Sequence, residues 1–482
     1  MKKNLLFILI PLLSFGQVKI GQDIDGEAAG DGSGRIALSA DGEIIAIGAS
    51  SNDGNGENSG HVRIYRNESG NWLQIGEDID GEAAGDLAGP VALSSDGSIV
   101  AIGASRNNGN GEWSGHVRVF KNINDTWKQI GQDINGEAAE DRSGSAIALS
   151  SNGNIVAIGA TDNGGDLSGH VRVFQNINET WTQIGQSIKG EGLFDHFGYA
   201  VSLSADGHRL AASSQRNSNS RGRVKVFEYQ TGYWYQIGQN LEGEAEPDQF
   251  GTSISMSEDG NTIAIGAPLN DDYAARSGHV RIYEYQTWQW VQIGQDINGE
   301  AAYDGSGQSV SLSSDGKTVA IGSWRNDDNG VDAGQVRIYK NDNGNWVKKG
   351  LDIEGEAAGD WFGVYLALSS DASIVAISAS RNDGVNGEGS GHVRVYDLTA
   401  VLSTESFKQN YFSFYPNPVK NVLNIQLNNG LVLKQVNIYN IQSQYLYSVK
   451  TKTIDSENLK SGVYFVEVET NKGKSAQKIV VE

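Results

Sequence analysis

The chain has 482 residues, a formal charge of −22, 62 Gly, 6 Pro, 10 Trp, 18 Tyr and no Cys. The missing Cys excludes disulfides, thiolate metal sites, thiol catalysis and a lipidated N-terminal Cys, and the acidic balance excludes nucleic acid as a partner, because phosphate binding needs clustered Lys and Arg. The length calls for several domains or one large repetitive one, while the aromatic content and the aperiodic Gly set aside disorder and a collagen-like chain.

Lys2 and Lys3 precede an apolar run from Leu5 to Phe15, and Ser14 and Gly16 take the −3 and −1 places of a cut before Gln17. Residues 1–16 therefore read as a secretory signal peptide. The run is shorter than the ~20 apolar residues of a membrane helix, and no other segment approaches that length, so no transmembrane segment is expected in the mature chain.

From residue 17 to 398 the sequence repeats itself. Gly21, Gly76, Gly131, Gly185, Gly238, Gly294 and Gly350 align at spacings of 55, 55, 54, 53, 56 and 56. Each copy holds an apolar run ending like Ala-Leu-Ser, a turn, a run like Ile-Ala-Ile-Gly-Ala, a Gly/Asn-rich loop, a run like Gly-His-Val-Arg-Ile-Tyr, a second turn and Trp-x-Gln-Ile-Gly. That is four strands per copy. A sheet with apolar residues on both faces must stack on a neighbour, and four-stranded units repeated radially make a β-propeller. The expected fold is thus all-β, a seven-bladed propeller.

The first turn carries Asp41-Gly42, Asp96-Gly97, Asn152-Gly153, Asp206-Gly207, Asp259-Gly260 and Asp315-Gly316, pairs that suit a type I′ hairpin; Asp371-Ala372 departs from them. The fourth strand opens with Trp72, Trp127, Trp181, Trp234, Trp290 and Trp346, but nothing like it follows His392 to Tyr396. The missing strand stands at the mature N-terminus, where Val18-Lys19-Ile20-Gly21 has no copy before it, so that strand is expected to close the last blade, with Gln17 in place of Trp.

Phe250-Gly251 before a strand and Gly266-Ala267-Pro268 after one, with Phe197-Gly198, Phe362-Gly363 and the Gly-x-Val-x-Ile/Val-Tyr/Phe strand, resemble the FG-GAP repeats of integrin α-chain propellers over residues 20–396. The resemblance implies an extracellular propeller for adhesion or recognition. The family's calcium loop is not intact, since Ser39-Ala40-Asp41-Gly42 and its equivalents are bare turns. No cofactor is implied outright, and calcium stays open as one because clusters such as Asp327-Asp328-Asn329-Gly330 offer oxygens.

Three polar residues recur in every copy. The connections carry Glu27, Glu82, Glu137, Glu191, Glu244, Glu300 and Glu356, followed by Asp31, Asp86, Asp141, Asp195, Asp248, Asp304 and Asp360; the second loops carry Asn52, Asn107, Asn163, Asn217, Asn270, Asn326 and Asn382. Constancy in all seven copies points to structural roles: Asp capping a turn, Asn in a left-handed conformation, and Glu neutralising Arg63, Arg118, Arg172, Lys225, Arg281, Arg337 and Arg394. A ring of these oxygens binding a cation or a sugar is the functional alternative. Specificity is sought where copies differ, at Asp53, Trp113, Asp271, Asp272, Tyr273, Trp324, Asp327, Asp328 and Asp383. His61, His116, His170, His279 and His392 are spread over five copies and read as structural rather than metal ligands.

From Thr399 on there are 9 Lys or Arg against 6 Asp or Glu, whereas the preceding residues have 28 against 53. This shift marks a linker over 399–410 and a small β-sandwich over 411–482, read from short alternating runs such as Val422 to Leu427 and Val463 to Val468. Tyr415-Pro416-Asn417-Pro418, Val436-Asn437-Ile438-Tyr439-Asn440, Leu459 to Val466 and Gln477 to Val481 resemble the C-terminal sorting domain of the type IX secretion system. The resemblance implies passage through both membranes, a partner in the secretion machinery, and a passenger released or held at the cell surface. With no Ser-His-Asp order, nucleophile elbow or phosphate loop in the sequence, the expectation is a non-catalytic adhesion or recognition module for an extracellular glycan or protein; a glycan-acting enzyme and a structural matrix protein are the alternatives.

Overall fold

Each repeat alternates strand-forming runs with Gly-containing turns, and each run pairs with the next in an antiparallel meander. In the first copy Arg35–Leu38, Ile44–Ala49, His61–Glu68 and Asn71–Gln74 form one sheet in chain order, with Ile79–Asp80 returning beside His61–Glu68. The computed structural model describes residues 17–162, 167–403, 412–427, 431–440, 445–456, 459–470 and 473–481. The signal peptide, Asn163 and the linker residues 404–410 lie outside them.

Seven such sheets follow one another, and backbone hydrogen bonds between their first turns run in a closed cycle: Ala40 to Ser95, Ser95 to Ser151, Ser151 to Ala205, Ala205 to Glu258, Glu258 to Ser314, Ser314 to Ser370, and Ser370 back to Ala40, at 2.8–3.0 Å. The unit is all-β and consistent with a propeller. Val18 pairs with Asp397 and Lys19 with Tyr396, then Ile24 with Val393 and Asp25 with His392. The N-terminal strand is thus the outer strand of the last sheet.

The core lies between sheets. Ile64, Ile75 and Ile79 of the first copy pack with Ala88, Ile102 and Phe120 of the second, and Ile45, Ile47 and Trp72 pack with Ile24, Val393 and Val395 across the closure. Two signature glycines permit the close approach of neighbours, since a Cβ on Gly159 would lie 2.1 Å from the carbonyl oxygen of Gly198. The Gly of Phe197-Gly198 and the Gly next to last in the preceding copy's second strand, Ile155–Ala160, therefore depend on each other's lack of a side chain. Each Trp also donates its indole N–H to the preceding sheet, as Trp127 does to the Ile75 carbonyl at 2.9 Å and Trp346 to Ile293 at 2.8 Å. At the closure a Cβ on Gly350 would stand 2.6 Å from Gln17 Nε2, where the Trp127 ring stands against Gly76. Gln17 donates to the Leu351 carbonyl at 2.5 Å instead.

Two local expectations need correction. The first turn is not type I′: Gly42 has φ 76° but Asp41 is absent from the positive-φ residues. Ser39 and Ile44 pair across a longer loop, and Asp41 Oδ1 accepts from Ser39 Oγ at 2.6 Å and Glu43 N at 3.0 Å. Nor are the recurrent Asn residues left-handed among the described residues. Asn107 keeps an ordinary φ because its side chain makes the turn, with Nδ2 donating to Asp86 at 3.0 Å and Oδ1 accepting from Gly109 N at 2.8 Å.

The second unit, which begins at Leu402, contains the sheet Phe412–Tyr415, Val422–Leu427, Thr453–Asp455 and the sheet Tyr445–Val449, Leu433–Asn440, Gly462–Thr470, Gly473–Val481. They share an apolar core that includes Leu423, Ile425, Val436, Ile438, Val466 and Val468. Among the described residues no helix is long and apolar enough to cross a membrane.

Candidate functional site

The constant carboxylates are occupied by the fold. Asp86 is 2% exposed, and its Oδ2 accepts from the N–H groups of Glu82 and Ala83, both at 3.1 Å, and from Asn107. Asp141, Asp248 and Asp304 accept from the equivalent pair of N–H groups, as do Asp195 and, by one bond each, Asp31 and Asp360. The recurrent Glu residues face the mid-strand cations: Glu27 stands 3.5 Å from Arg63, Glu82 3.8 Å from Arg118 and Glu300 3.6 Å from Arg337. Glu191 meets Lys225, Glu244 meets Arg281 and Glu356 meets Arg394. Glu137 instead lies 3.8 Å from His170, while Arg172 donates to the Asn135 carbonyl at 2.7 Å. Arg172 is thus bonded by a backbone carbonyl, with the charges of Glu137 and Asp141 acting on it from beyond ion-pair distance.

The repeat histidines are spread around the ring, but four of them meet two carboxylates each: Glu27, His61, Asp78; Glu82, His116, Asp133; Glu244, His279, Asp296; and Asp23, Glu356, His392. Among the described residues these are the groups whose ligand atoms lie close enough together, within 4.8 Å, to hold a metal ion. A guanidinium engages each of the four sets, Arg63 and Arg118 through their Glu, and most closely Arg281 on Asp296 at 2.7 and 2.9 Å and Arg394 on Asp23 at 2.8 and 3.0 Å. Burial, reinforced by Arg63, pushes the His61 pKa down to about 4, so the ring is neutral near pH 7.

The acidic residues singled out in the second loops close those loops. Asp53 Oδ1 accepts from Asn58 N at 2.7 Å, Asp271 from Arg276 N at 2.6 Å, Asp327 from Asp332 N at 2.8 Å and Asp383 from Gly389 N at 3.1 Å. Asn108 does the same for Trp113. Asp328 accepts from Gln335 at 3.4 Å, Asp272 lies against Glu244, whose pKa it raises, and Tyr273 is exposed.

Trp113 and Trp324 lead elsewhere. Trp113 lies between Arg106 and Arg142, each 5.6 Å from its ring centre; Trp324 stacks edge-on to Trp361 at 4.5 Å, with Arg325 over one ring and Arg381 over the other at 3.3 Å. Of these residues Arg142 lines a cavity of about 540 Å³ that takes in the first strands of all seven sheets, from Ile36 and Val91 to Val310 and Leu366, and Arg381 lines a groove beside it. The residue after each constant Asp stands at this level with a left-handed backbone: Gly32 (φ 61°), Leu87 (56°), Arg142 (54°), His196 (51°), Gln249 (54°), Gly305 (63°) and Trp361 (59°). The following loop is tied to it, since Arg106, Asp162, Leu269, Arg325 and Arg381 each donate N–H to the carbonyl of that constant Asp.

Glycine suits such a backbone without strain, whereas a side chain there costs of order 1 kcal/mol. Five copies nonetheless carry one, and it differs in each. The copies that keep Gly differ in what surrounds it. Gly305 is filled over by Trp324, but Gly32 with Ser51 leaves a groove of about 1030 Å³ between the last and first sheets, bounded by Arg35, Tyr365, Arg381, Asp383 and Glu388. Arg35 stacks on Tyr365 at 5.2 Å, joining groove and cavity. Asp162 is the one carboxylate among the cavity-lining residues, and Arg142 holds it at 2.7 Å. Burial and the nearby Arg216 lower the pKa of His196, keeping it neutral, and burial raises that of Tyr199. Apart from Trp113, Trp324 and Asp383, the residues of this site are not singled out by sequence reasoning. Their signal is the first x of the recurrent Asp-x-x-Gly, which takes six residue types in seven copies while the second alternates among Ser, Ala and Phe.

The arrangement defines an all-β repeat protein whose constant residues build a ring and whose variable ones converge at its axis. Residues 242–283 and 298–339 match the FG-GAP repeat, and residues 413–482 match the secretion system C-terminal sorting domain. The chain accordingly carries FG-GAP repeats and a type IX sorting domain, through which it engages the secretion machinery and is exported, to the cell surface or released. No curated protein matches the chain. Among solved structures, the Kuenenia stuttgartiensis hydrazine synthase is similar in fold, with a TM-score of 0.51 at 14% identity over 79% of this chain and 98% of that one. A putative 6-phosphogluconolactonase from Bacteroides uniformis gives 0.48 at 14% identity over 67% and 85%. The first likeness is one of fold alone, and the second carries no argument.

Proposed function

We propose that the first unit is a seven-bladed β-propeller closed by its N-terminal strand, that the second is a small β-sandwich, and that the exported protein is a non-catalytic adhesion or recognition module. Its ligand, an extracellular glycan or protein, binds at the axial mouth. The observation that carries this reading is the contrast between the constant Asp residues, whose oxygens are taken up in turns, and the adjacent left-handed positions, which change from copy to copy at an energetic cost. A concave site with a few polar groups and aromatic faces is what a recognition surface needs. The engaged state of Asp162 supports binding without acid–base chemistry, since glycosidases need two free carboxyl groups facing one bond.

The test is a glycan array and a panel of immobilised extracellular proteins, probed with the wild type and with Tyr365→Ala, with and without calcium, followed by a product assay on each hit. Binding lost in the variant and no product are expected. A product would overturn the non-catalytic reading, and binding indifferent to Tyr365 would move the site away from the axis.

A further inference from the structure

The mouth concentrates positive charge on a chain of net charge −22. Arg35 and Arg216 of the cavity, Arg381 of the groove, and Arg106 and Arg325 at the loop position equivalent to Arg381 make no ion pair within 4 Å among the described residues, whereas Arg63, Arg118, Arg281, Arg337 and Arg394 of the blade interiors each have at least one and Arg172 alone bonds a carbonyl instead. Bringing unpaired cations together around one axis opposes folding unless something else answers their charge. Every one of these cations is Arg, whose planar fork binds carboxylate or sulfate by two parallel bonds. Aromatic rings hold four of these guanidinium groups in place before any ligand arrives: Tyr365 under Arg35, Trp113 beside Arg106, Trp324 under Arg325 and Trp361 under Arg381.

We infer that the axial mouth, with the groove beside Arg35 and Arg381, binds an anionic polysaccharide through its carboxylate or sulfate groups. The inference rests on the recognition reading above and names the chemistry of its ligand. A sugar chain with spaced charges fits because the cavity sets Arg35, Arg142 and Arg216 against the single carboxylate Asp162, whereas the residues before Thr399 carry 28 Lys or Arg against 53 Asp or Glu. A nucleic acid carries a charge on every residue and would run on over the acidic exterior. Asp383 and Glu388 also line the groove, as do the buried, turn-capping Asp31 and Asp360, which favours a ligand whose charged groups meet Arg35 and Arg381 and whose neutral hydroxyls lie beside the acids.

The experiment measures binding of the mature protein to immobilised heparin, which has sulfates and carboxylates, polygalacturonate, which has carboxylates alone, neutral dextran, and single-stranded DNA. At least one anionic polysaccharide should bind about tenfold or more tightly than dextran and DNA, and weaken steeply with salt. Arg35→Gln and Arg381→Gln should each weaken it about tenfold or more, as loss of a charge-assisted pair does, with unchanged melting. Arg66→Gln, which breaks surface pairs with Glu68 and Asp125 away from the mouth, should not. Binding to heparin but not polygalacturonate assigns sulfate; binding to both assigns carboxylate. Equal binding to dextran, lost in Tyr365→Ala but kept in the arginine variants, would overturn the anionic class and leave the recognition reading standing. Preference for DNA, or no binding to either anionic polysaccharide, would overturn the inference, while the array and protein panel judge the recognition reading separately.

Discussion

Deleting residues 17–23 removes the outer strand of the closing sheet, and the size of the effect follows from the hydrogen bonds that strand makes. Ile20 N donates to Val395 at 2.7 Å, Trp72 Nε1 to Ile20 at 3.2 Å, Gln22 makes two bonds with the Trp72 backbone at 2.8 and 3.3 Å, Gln17 bonds Leu351, and Asp23 takes two bonds from Arg394. At about 1 kcal/mol net for each, discounted because water reaches the vacated edge, these sum to about 6 kcal/mol. The unit extends to Val401, so from residue 17 it has about 385 residues; at about 2.1 cal/mol/K per residue its unfolding entropy is about 0.8 kcal/mol/K. The melting temperature should therefore fall by about 7 °C. Hydrogen exchange at the amides of His392–Asp397 should rise at the same time. A shift under about 2 °C with those amides still protected would refute the closure as a structural requirement.

Asp86→Ala should destabilise the protein by about 3 kcal/mol in urea unfolding, because two backbone N–H groups and Asn107 lose one buried acceptor; a loss under about 1 kcal/mol would contradict the capping role. Glu82→Gln should cost no more than about 1 kcal/mol, since Glu82 is 44% exposed and 3.8 Å from Arg118 and such pairs are screened. The His61 pKa, lowered to about 4 from the ordinary 6.5, makes stability full above pH 6.5 and decreasing as pH falls toward 4, because only the unfolded chain takes up the proton in that window. Burial lowers His116, His170, His279 and His392 in the same direction, so the urea midpoint should drop between pH 7.5 and 5.5; a flat profile would sink the reasoning. Removal of residues 413–482 should leave the passenger in the cell fraction, with none on the surface or in the medium by fractionation.

Much of the architecture is legible along the chain. The sevenfold period, the six Trp strands and the unmatched Val18 segment are all local patterns, and strand pairing in a meander follows chain order. The apolar runs on both sheet faces require stacking. The turns and polar bridges are less legible. Asp41-Gly42 admits several turns, and the choice falls to the Ser39 hydroxyl bonding Asp41. Asn107 resembles a left-handed turn residue, yet its side chain bridges to Asp86, 21 residues away.

The sequence by itself determined the class of fold, the number of copies and the export signals, because periodicity, turn residues and motif spacing are properties of neighbours along the chain. Only the tertiary structure decided where function concentrates. Arg35, Arg142, Arg216 and Arg381 are up to 346 residues apart, and the closed cycle of sheets brings their loops around one axis. No local pattern can record that convergence, since it arises when seven separate sheets pack side by side and share a centre.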